Sequence, residues 1–282
     1  LGTTGQLGQA IQRQFSQQGK DLIAVGRDRC DFTQPESMRQ LLREIQPQTI
    51  INCAAYTAVD RAESEPQLAQ TINATAPQIL AAEAAQMGAF LVHFSTDYVF
   101  DGQQCRPYTE EDTPNPLNQY GKSKHQGETA IAASCCQYLT LRTSWVYGAY
   151  GHGNFVKTMI RLGKEREELR VVDDQIGTPT WTGDLAHLIT QIPPDFTGLY
   201  HYSNSGVASW YDFAVTIFAE ARNLGVSLAL KRVVPIPTSE YPTAAQRPAY
   251  SVLSSQSLMQ QLDHIPPHWQ SSLNQMLKNY LG

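Results

Sequence analysis

Short apolar runs alternate with longer amphipathic stretches along the first half of the chain. The runs are nearly continuous rather than interrupted by polar residues, which indicates strands covered on both faces. We predict such strands at 22–26, 49–55, 90–96 and 138–147. Helical spacing of apolar residues predicts helices between them, at 9–18, 36–45 and 77–87. This order predicts an α/β fold of the Rossmann type, a doubly wound parallel sheet with helices on both faces.

The second half of the chain has a looser pattern with more prolines. Amphipathic spacing there predicts four helices, at 154–167, 209–224, 255–262 and 268–281. We therefore expect one domain over residues 1–148, to which segments near 170–200 return. Residues 149–282 would form a smaller α/β domain.

The composition narrows the function by exclusion. The 282 residues carry a net charge of −5, which argues against a nucleic-acid-binding protein because such proteins are basic. No apolar run approaches the roughly 18 residues of a membrane-spanning helix, so we expect no membrane partner. The seven histidines lack metal-ligand spacing, so we expect no bound metal. Five irregularly spaced cysteines are typical of reduced thiols in a cytoplasmic protein.

Residues 2–8, GTTGQLG, combine a glycine-rich turn with the start of the first predicted helix. Such a turn lets a pyrophosphate approach the backbone closely, and the helix N-terminus supplies amide donors. The pattern is weak alone, but its place at the head of an alternating α/β half favours dinucleotide binding over a purely structural turn. Since a strand normally precedes such a turn, we expect further residues before Leu1 and no targeting segment. The candidate cofactor residues here are Gly2, Gly5, Gln6, Leu7 and Gly8.

The tip of the predicted strand at 22–26, with the sequence GRDRCDF at 26–32, bears on the choice of cofactor. NAD sites commonly place an acidic residue there to bind the ribose 2′-hydroxyl. Here Arg27 comes first, and its guanidinium could accept a 2′-phosphate that a carboxylate would repel. We therefore favour NADPH, with NADH usable, although two arginines in a surface loop are a common alternative. Asp31 would then lie where a carboxylate can reach the adenine amine.

A tyrosine and a lysine four positions apart give the strongest chemical signal. Tyr120 and Lys124 lie in NQYGKSKHQGE (118–128), where helical spacing puts them on one face. An ammonium beside the phenol would lower its pKa and make it a better proton donor near neutral pH. Thr96 ends the predicted strand 90–96 at the carboxyl edge of the sheet, where ligands of such folds bind. Together with the glycine turn, these residues favour the active site of an oxidoreductase. The alternative, that Tyr120 and Lys124 only lie on a solvent-exposed helix face, is less consistent with this combination.

Several longer stretches carry a family resemblance over almost the whole chain. They include NCAAYTAVDRAESEP, STDYVFDG, PLNQYGKSKHQGE, RTSWVYG, DDQIGTPT and YPTAAQRP. In these the chain resembles the extended short-chain dehydrogenase/reductases and, among them, the dTDP-4-dehydrorhamnose reductase family. The resemblance implies reduction of the C4 keto group of dTDP-4-dehydro-L-rhamnose to dTDP-L-rhamnose, a step in polysaccharide biosynthesis. NADPH would be the hydride source and Tyr120 the proton donor.

The resemblance also implies roles for individual residues. The catalytic residues would be Thr96, Tyr120 and Lys124, of which the last two would also contact the cofactor. Further cofactor contacts are implied at Phe32, Ala54, Ala55, Tyr56 and Asn73. The sugar pocket would be lined by Thr57, Val59, Asp97, Tyr98, Val99 and Trp145. A place in the core is the alternative for the tryptophan.

Two further residues are candidates for the nucleotide diphosphate. Arg247 is a better candidate than Asn154 because a guanidinium fork suits phosphate, and a surface salt bridge is the equal alternative. In some members of the family a metal links two subunits through acidic residues, one of them in the first helix. The corresponding stretch here, QLGQAIQRQ at 6–14, has no carboxylate. We therefore expect no metal bridge, and a monomer or weak homodimer.

Three alternative functions stay open. The first is a nucleotide-sugar epimerase or dehydratase, although a dehydratase would need an Asp-Glu pair after Thr96, where Asp97 and Tyr98 stand instead. A reductase of a different 4-keto nucleotide sugar would require only small changes in the pocket. A non-catalytic NADP-binding regulatory subunit of a methionine adenosyltransferase could keep the glycine turn without sugar turnover. The intact catalytic residues weigh against the last alternative.

Overall fold

Every helix predicted from the sequence is confirmed in the structure, a computed structural model that describes residues 1–193 and 195–282. The helices are α1 (Gln6–Gln17), α2 (Pro35–Ile45), α3 (Val59–Ala62), α4 (Pro66–Gln70), α5 (Ala76–Met87), α6 (Gln119–Ala132), α7 (Phe155–Glu165), α8 (Thr182–Gln191), α9 (Trp210–Asn223), α10 (Gln256–Leu262) and α11 (Trp269–Leu281). A π-helical turn spans Thr71–Thr75, and 3₁₀ turns span Asp97–Val99 and Thr238–Glu240. Within the described residues, no helix has both the length and the apolar character to cross a membrane.

The strands form one central sheet and three smaller pairs. They are β1 (Thr49–Asn52), β2 (Phe90–Thr96), β3 (Gln137–Thr143), β4 (Val146–Tyr147), β5 (Glu168–Val172), β6 (Ile176–Gly177), β7 (Thr180–Trp181), β8 (Gly198–His201), β9 (Ala208–Ser209) and β10 (Arg232–Ile236). The central sheet is parallel, in the order β1-β2-β3-β8. Phe90, Val92 and Phe94 of β2 pack with α1 and α8, whereas Leu91 packs with α2 and α5. The predicted α/β fold with helices on both faces of a parallel sheet is confirmed.

The prediction of a strand at 22–26 is wrong for the described structure, which has no β-ladder there. The segment and β1 line a groove of about 570 Å³. Across it, the Gly2 amide donates to the Val25 carbonyl oxygen at 3.1 Å, and the Cys53 amide donates to the Leu1 carbonyl oxygen at 3.1 Å. A strand is defined by a ladder with a neighbour, and a single backbone bond to residues 22–26 does not make one.

The predicted strand at 138–147 is divided into β3 and β4. The break falls at Trp145, whose φ of 46° lies in the left-handed region that bulky residues rarely adopt. β3 continues the central sheet, whereas β4 pairs with β7. The turn therefore brings the Trp145 side chain to the carboxyl end of the sheet. The strand predicted at 49–55 is likewise shorter in the structure, where β1 ends at Asn52.

The second half of the chain builds a second core around aromatic residues. β5 and β10 form a parallel pair, and α7, α9 and α11 pack into the same hydrophobic cluster. Phe213 and Trp269 meet edge to face in it, with ring centroids 5.8 Å apart. By contrast, α8 packs with α1, and β8 pairs with β3 of the central sheet. The turn between β3 and β4 thus lies where the two cores adjoin.

Candidate active site

The glycine-rich turn leaves the start of α1 open to an anion. Gly5 is the N-cap residue, its backbone is extended, and no side chain caps the helix. The first amide groups of a helix have no partners within it, and at α1 these belong to Gln6, Leu7 and Gly8. Such amides, at the positive end of the helix dipole, suit a phosphate or pyrophosphate.

Two positions of this turn require glycine. Gly2 has a φ of 79°, and a Cβ there would lie 2.6 Å from the Ala54 nitrogen. A Cβ on Gly8 would lie 2.3 Å from the Gly2 carbonyl oxygen, well inside a normal nonbonded contact. The backbone of the turn is therefore bare of side chains where a ligand would approach. These residues fit the pyrophosphate of an NADP-type dinucleotide.

We expect Gly8→Ala to destabilise the protein by about 1–3 kcal/mol, because the added methyl group must push the Gly2 backbone aside. Gly5→Ala is the matched control, since its Cβ would lie 3.5 Å from the same oxygen, an ordinary contact. Loss of the N-cap glycine should cost no more than about 1 kcal/mol. Denaturant unfolding without cofactor measures both variants. Equal losses would contradict the steric explanation.

The tip at 26–32 lies against the glycine turn. A Cβ on Gly26 would lie 3.3 Å from the Thr3 hydroxyl oxygen. The Arg27 side chain is 78% exposed, with its Nε 3.5 Å from Asp31 Oδ2. Hydrogen bonds from the Thr33 amide and hydroxyl lower the pKa of Asp31. The predicted cofactor residue Phe32 is instead buried in the core with α2.

The predicted cofactor segment Ala54, Ala55 and Tyr56 is held in place by Asn73. The Tyr56 amide donates to Asn73 Oδ1 at 2.8 Å, and Asn73 Nδ2 donates to the Tyr56 carbonyl oxygen at 3.0 Å. Asn73 Nδ2 also donates to Ser123 Oγ of α6 at 3.0 Å. Asn73 is only 1% exposed and makes its polar contacts inside the protein. The side chain of Asn73 therefore supports the 54–56 segment, and its contact with the cofactor stays a prediction.

Tyr120 and Thr96 meet because α6 begins very close to the 3₁₀ turn Asp97–Val99. The Gly121 amide donates to Asn118 Oδ1 at 2.8 Å, which caps α6. A Cβ on Gly121 would lie 2.1 Å from the Tyr98 carbonyl oxygen, so this approach requires glycine. The Tyr120 and Tyr98 rings then lie edge to face, with centroids 5.9 Å apart. The sequence interpretation missed Asn118 and Gly121, although an Asn before a helix is a recognisable N-cap signal.

The pKa values of Tyr120 and Lys124 differ from the expectation. Burial raises the pKa of Tyr120 to about 12, with the neighbouring Thr96 hydroxyl acting against it. The expected lowering of this pKa by Lys124 is therefore wrong for the protein alone. Lys124 Nζ donates to the Phe94 carbonyl oxygen at 2.6 Å, and burial lowers the pKa of Lys124 to about 8. A raised pKa keeps the phenol protonated at neutral pH, as a proton donor must be.

Asp97 lies beside the catalytic hydroxyls and is 2% exposed. The Thr96 hydroxyl donates to Asp97 Oδ1 at 3.1 Å and accepts from the Tyr98 amide at 3.2 Å. Burial raises the pKa of Asp97 to about 7, and its Oδ2 has no hydrogen-bond partner in the described structure. No group of three or more potential metal ligands occurs among the described residues.

The predicted aromatic wall at Trp145 is a stack of two tryptophans. The Trp145 and Trp210 rings are parallel, with centroids 3.6 Å apart. A Cβ on Gly177 would lie 2.6 Å from the Trp145 ring, so that residue must be small. Trp145 therefore belongs both to the second core and to the edge of the site. The sequence interpretation missed Trp210, which opens the predicted helix at 209–224 and carries no local signal of this contact.

Three other predicted sugar-pocket residues differ in exposure. Thr57 is exposed and Val59 is half-buried at the start of α3. Val99 is fully buried in a small cluster with Phe100 and Tyr108. Its side chain therefore supports the site from within the core, and its place in the sugar pocket stays a prediction.

Arg247 and Asn154 are engaged within the protein. Arg247 forms a bidentate pair with Asp60 of α3, at 2.8 and 3.2 Å, which is the salt bridge considered as its alternative role. Asn154 caps α7 through the Lys157 amide, and its Nδ2 donates to Gln6 Oε1 at 3.2 Å. The structure therefore does not present Asn154 as a free phosphate ligand. It ties α7 to the start of α1.

Residues 1–281 match the protein family described as the RmlD substrate binding domain. The chain is 46% identical to the dTDP-4-dehydrorhamnose reductase of Escherichia coli K12, over 98% of this chain and 95% of the relative. The crystal structure of the Bacillus anthracis dTDP-4-dehydrorhamnose reductase in complex with NADP has a TM-score of 0.92 and 41% identity, over 98% and 96% of the two chains.

A more distant likeness concerns the fold alone. The Thermus thermophilus UDP-glucose 4-epimerase in complex with NAD is 19% identical, with a TM-score of 0.79 over 99% and 97% of the two chains. It supports the Rossmann-type architecture of the central sheet. The match over residues 1–281 and the high identity over nearly complete chains show that the protein belongs to the RmlD family, that of the dTDP-4-dehydrorhamnose reductases.

Proposed function

We propose that the protein reduces the C4 keto group of dTDP-4-dehydro-L-rhamnose to dTDP-L-rhamnose with NADPH. The observation that carries this proposal is the packing of Tyr120, at the start of α6, against the 3₁₀ turn that directly follows Thr96 at the carboxyl end of β2. Ligands of open parallel α/β sheets bind at this edge, next to the glycine-rich turn. The names of the family relatives supply the substrate and the cofactor.

The chain itself supplies proton transfer and charge stabilisation. NADPH, when bound, supplies the hydride. Tyr120 donates its proton to the keto oxygen, and Thr96 gives that oxygen a second hydrogen bond in place of the one that it donates to Asp97. Two oriented hydroxyls thus meet the negative charge that develops on the oxygen. Lys124 stabilises the resulting tyrosinate and holds the nicotinamide ribose.

The sugar nucleotide is proposed to bind between the two cores. Asp97, Tyr98 and Trp145 would contact the sugar, with Thr57 and Val59 at the rim. Arg247 would bind the diphosphate by exchanging the Asp60 carboxylate for phosphate, since its fork matches both anions. Residues 1–148 would hold the dinucleotide, with 149–282 forming the nucleotide-sugar side. We place the protein in the cytoplasm as a monomer or weak homodimer that serves polysaccharide biosynthesis.

A coupled assay tests this function. The substrate is made in situ from a dTDP-sugar by a dehydratase and an epimerase, and NADPH loss is followed while NMR identifies the sugar. NADPH consumption with dTDP-L-rhamnose as the product is the expected result. NADPH binding without consumption would contradict the proposal and favour a regulatory subunit. A different 6-deoxyhexose would contradict the proposed stereochemistry.

We expect Arg27→Asp to raise the KM for NADPH at least about tenfold while changing the KM for NADH little. The reason is that Arg27 is the exposed cation at the tip, and a carboxylate there repels a 2′-phosphate but can bind a 2′-hydroxyl. Arg29→Asp is the matched control, with the same charge change two residues away in the same exposed loop. Steady-state kinetics with both cofactors measure the effect. A similar NADPH defect in the control would mean a general electrostatic effect.

A further inference from the structure

A chain of buried polar groups crosses the sheet behind the catalytic residues. Asn52 of β1, His93 of β2 and Lys124 of α6 are each 2% exposed or less. His93 lies in register with Asn52, on the face of β2 opposite to Val92 and Phe94, and this face packs against α6. The family resemblance and the proposed proton transfer assign no role to His93.

The hydrogen bonds of Asn52 determine which nitrogen of His93 carries the proton. The Ala54 amide donates to Asn52 Oδ1 at 3.1 Å, which fixes the orientation of the side-chain amide. Asn52 Nδ2 consequently faces His93 Nδ1 at 3.1 Å. An amide nitrogen can only donate, so Nδ1 must accept. Burial holds the pKa of His93 well below its ordinary value, so the ring is neutral and its single proton lies on Nε2.

The protonated Nε2 faces the catalytic lysine. Lys124 Nζ lies 3.3 Å from His93 Nε2 and donates to the Phe94 carbonyl oxygen at 2.6 Å. An ammonium group has no lone pair, so it cannot accept the Nε2 proton, whereas a neutral amine can. The Phe94 carbonyl oxygen accepts equally from either form. The Nε2–H group therefore favours the amine.

We propose that His93 is a positioning residue whose proton, held on Nε2 by Asn52, disfavours the ammonium form of Lys124. A hydrogen bond to the neutral form of a base adds to the effect of burial. The lowered pKa of Lys124, about 8, agrees with this arrangement. Such a lysine lies close enough to neutral pH to pass a proton during turnover as well as to hold a charge. This consequence for turnover rests on the proposed function, whereas the position of the His93 proton does not.

Other charged groups around α6 are mostly neutralised by partners. Glu128 of α6 raises the pKa of Lys124, but its carboxylate is bound by Arg142 of β3. The Thr71–Thr75 turn and α4 carry no ionisable side chain. The remaining ionisable groups on α6 and on the elements that pack against it are Asp60 and Arg61 of α3 with Glu63 after it, Glu83 of α5, Asp97 and Tyr98 of the 3₁₀ turn, Tyr138 of β3, and Tyr120, Lys122 and His125 of α6 itself. Asp60, Arg61 and Glu83 have ion-pair partners of their own.

Nitrogen NMR of the free protein tests the proton position directly. Two-bond ¹H–¹⁵N spectra of ¹⁵N-histidine-labelled protein distinguish the two neutral tautomers, and His93→Phe identifies the His93 signals by their loss. We expect the Nε2–H form for His93. His201 provides an internal contrast, because its Nδ1 lies 3.1 Å from the Tyr108 carbonyl oxygen and must carry the proton. An Nδ1–H form for His93 would overturn the proposal.

The pH dependence of NADPH binding tests the effect on Lys124 without sugar turnover. If the Lys124 ammonium holds the ribose, affinity falls as the pH rises through its pKa of about 8. His93→Phe removes the opposing N–H group, so this fall should move to higher pH by about one unit. Asn52→Asp should move it in the same direction, because a carboxylate draws the His93 proton to Nδ1 and frees Nε2 to accept from the ammonium.

Thr140→Val is the matched control for these variants. Thr140 is in register with His93 on β3, is fully buried, and its hydroxyl has no hydrogen-bond partner in the described structure. The Thr140→Val variant should leave the pH dependence of NADPH binding unchanged, although it perturbs the same part of the core. No shift in His93→Phe, or a shift to lower pH, would overturn the proposal. Absence of sugar turnover with the expected tautomer and pH shift would contradict only the proposed function.

Discussion

Tyr120→Phe is expected to lower kcat by a factor of about 10²–10⁴ and to leave the Kd for NADPH nearly unchanged. The variant removes one hydroxyl oxygen and keeps the ring that packs edge to face against Tyr98. It therefore removes the proposed proton donor without altering the fold of α6 or the glycine-rich turn. The coupled assay measures kcat, and quenching or enhancement of NADPH fluorescence measures binding.

Tyr98→Phe is the matched control, because Tyr98 is the other phenol of the site. If Tyr98 only orients the sugar, its variant should raise KM more than it lowers kcat. Retention of more than about a tenth of the wild-type kcat in Tyr120→Phe would contradict the assignment of the donor. A larger loss in Tyr98→Phe than in Tyr120→Phe would transfer the role to Tyr98.

The raised pKa of Tyr120 adds a pH signature to the wild-type protein. With a pKa of about 12, the phenol stays protonated through the whole neutral and mildly alkaline range. A decline in turnover as the pH passes about 8 would therefore report Lys124 rather than Tyr120. The two groups thus differ in the part of the pH profile that each controls, and Tyr120→Phe should leave the position of that decline unchanged.

The elements that could be predicted from the sequence depend on local signals. The helices follow from the spacing of apolar residues within each segment, and the capping Asn118 stands directly before α6. Tyr120 and Lys124 share a helix, so their common face follows from their spacing alone. Thr96 lies at the end of a strand whose seven residues are all buried, as its nearly continuous apolar run indicates.

Apart from the Asn118 cap, which is a local signal, the features that were mispredicted or missed depend on partners far away in the chain. Residues 22–26 read as a strand, but a ladder also requires a neighbouring strand, which no local pattern reveals. The Asp60–Arg247 pair joins residues 187 positions apart. Lys124 turns towards the Phe94 carbonyl oxygen because β2 presents it there, and this orientation, with burial, decides the lysine pKa. Spacing thus singled out the proposed catalytic residues, whereas their electrostatics depend on the tertiary structure.

A buried ion pair fixes α6, with its catalytic residues, to the central sheet. Arg142 of β3 donates two hydrogen bonds to Glu128 of α6, at 2.9 and 2.7 Å, and both residues are 5% exposed or less. Burial alone would raise the pKa of Glu128, but the bonds from Arg142 and His125 outweigh it and bring the pKa to about 2. Removing one partner leaves a buried, uncompensated charge.

Glu128→Ala is therefore expected to lower the free energy of unfolding by about 3–5 kcal/mol at neutral pH. Glu165→Ala is the control, since its pair with Arg161 is exposed and should contribute less than about 1 kcal/mol. The double variant Glu128→Leu/Arg142→Met should recover much of the loss, because it removes both charges together. Guanidinium unfolding followed by circular dichroism measures all three variants. A loss below about 1 kcal/mol in Glu128→Ala would contradict the importance of the pair.

The same ion pair predicts how stability responds to acid. Glu128 has a folded-state pKa of about 2 against an ordinary value of 4.5, so the folded state binds fewer protons between these pH values. The stabilisation is complete above pH 4.5 and is lost as the pH falls towards 2. Stability of the wild-type protein should therefore fall more steeply in this window than that of the Glu128→Leu/Arg142→Met variant. Parallel pH curves for the two proteins would show that other carboxylates govern acid unfolding and that the pair mainly positions α6.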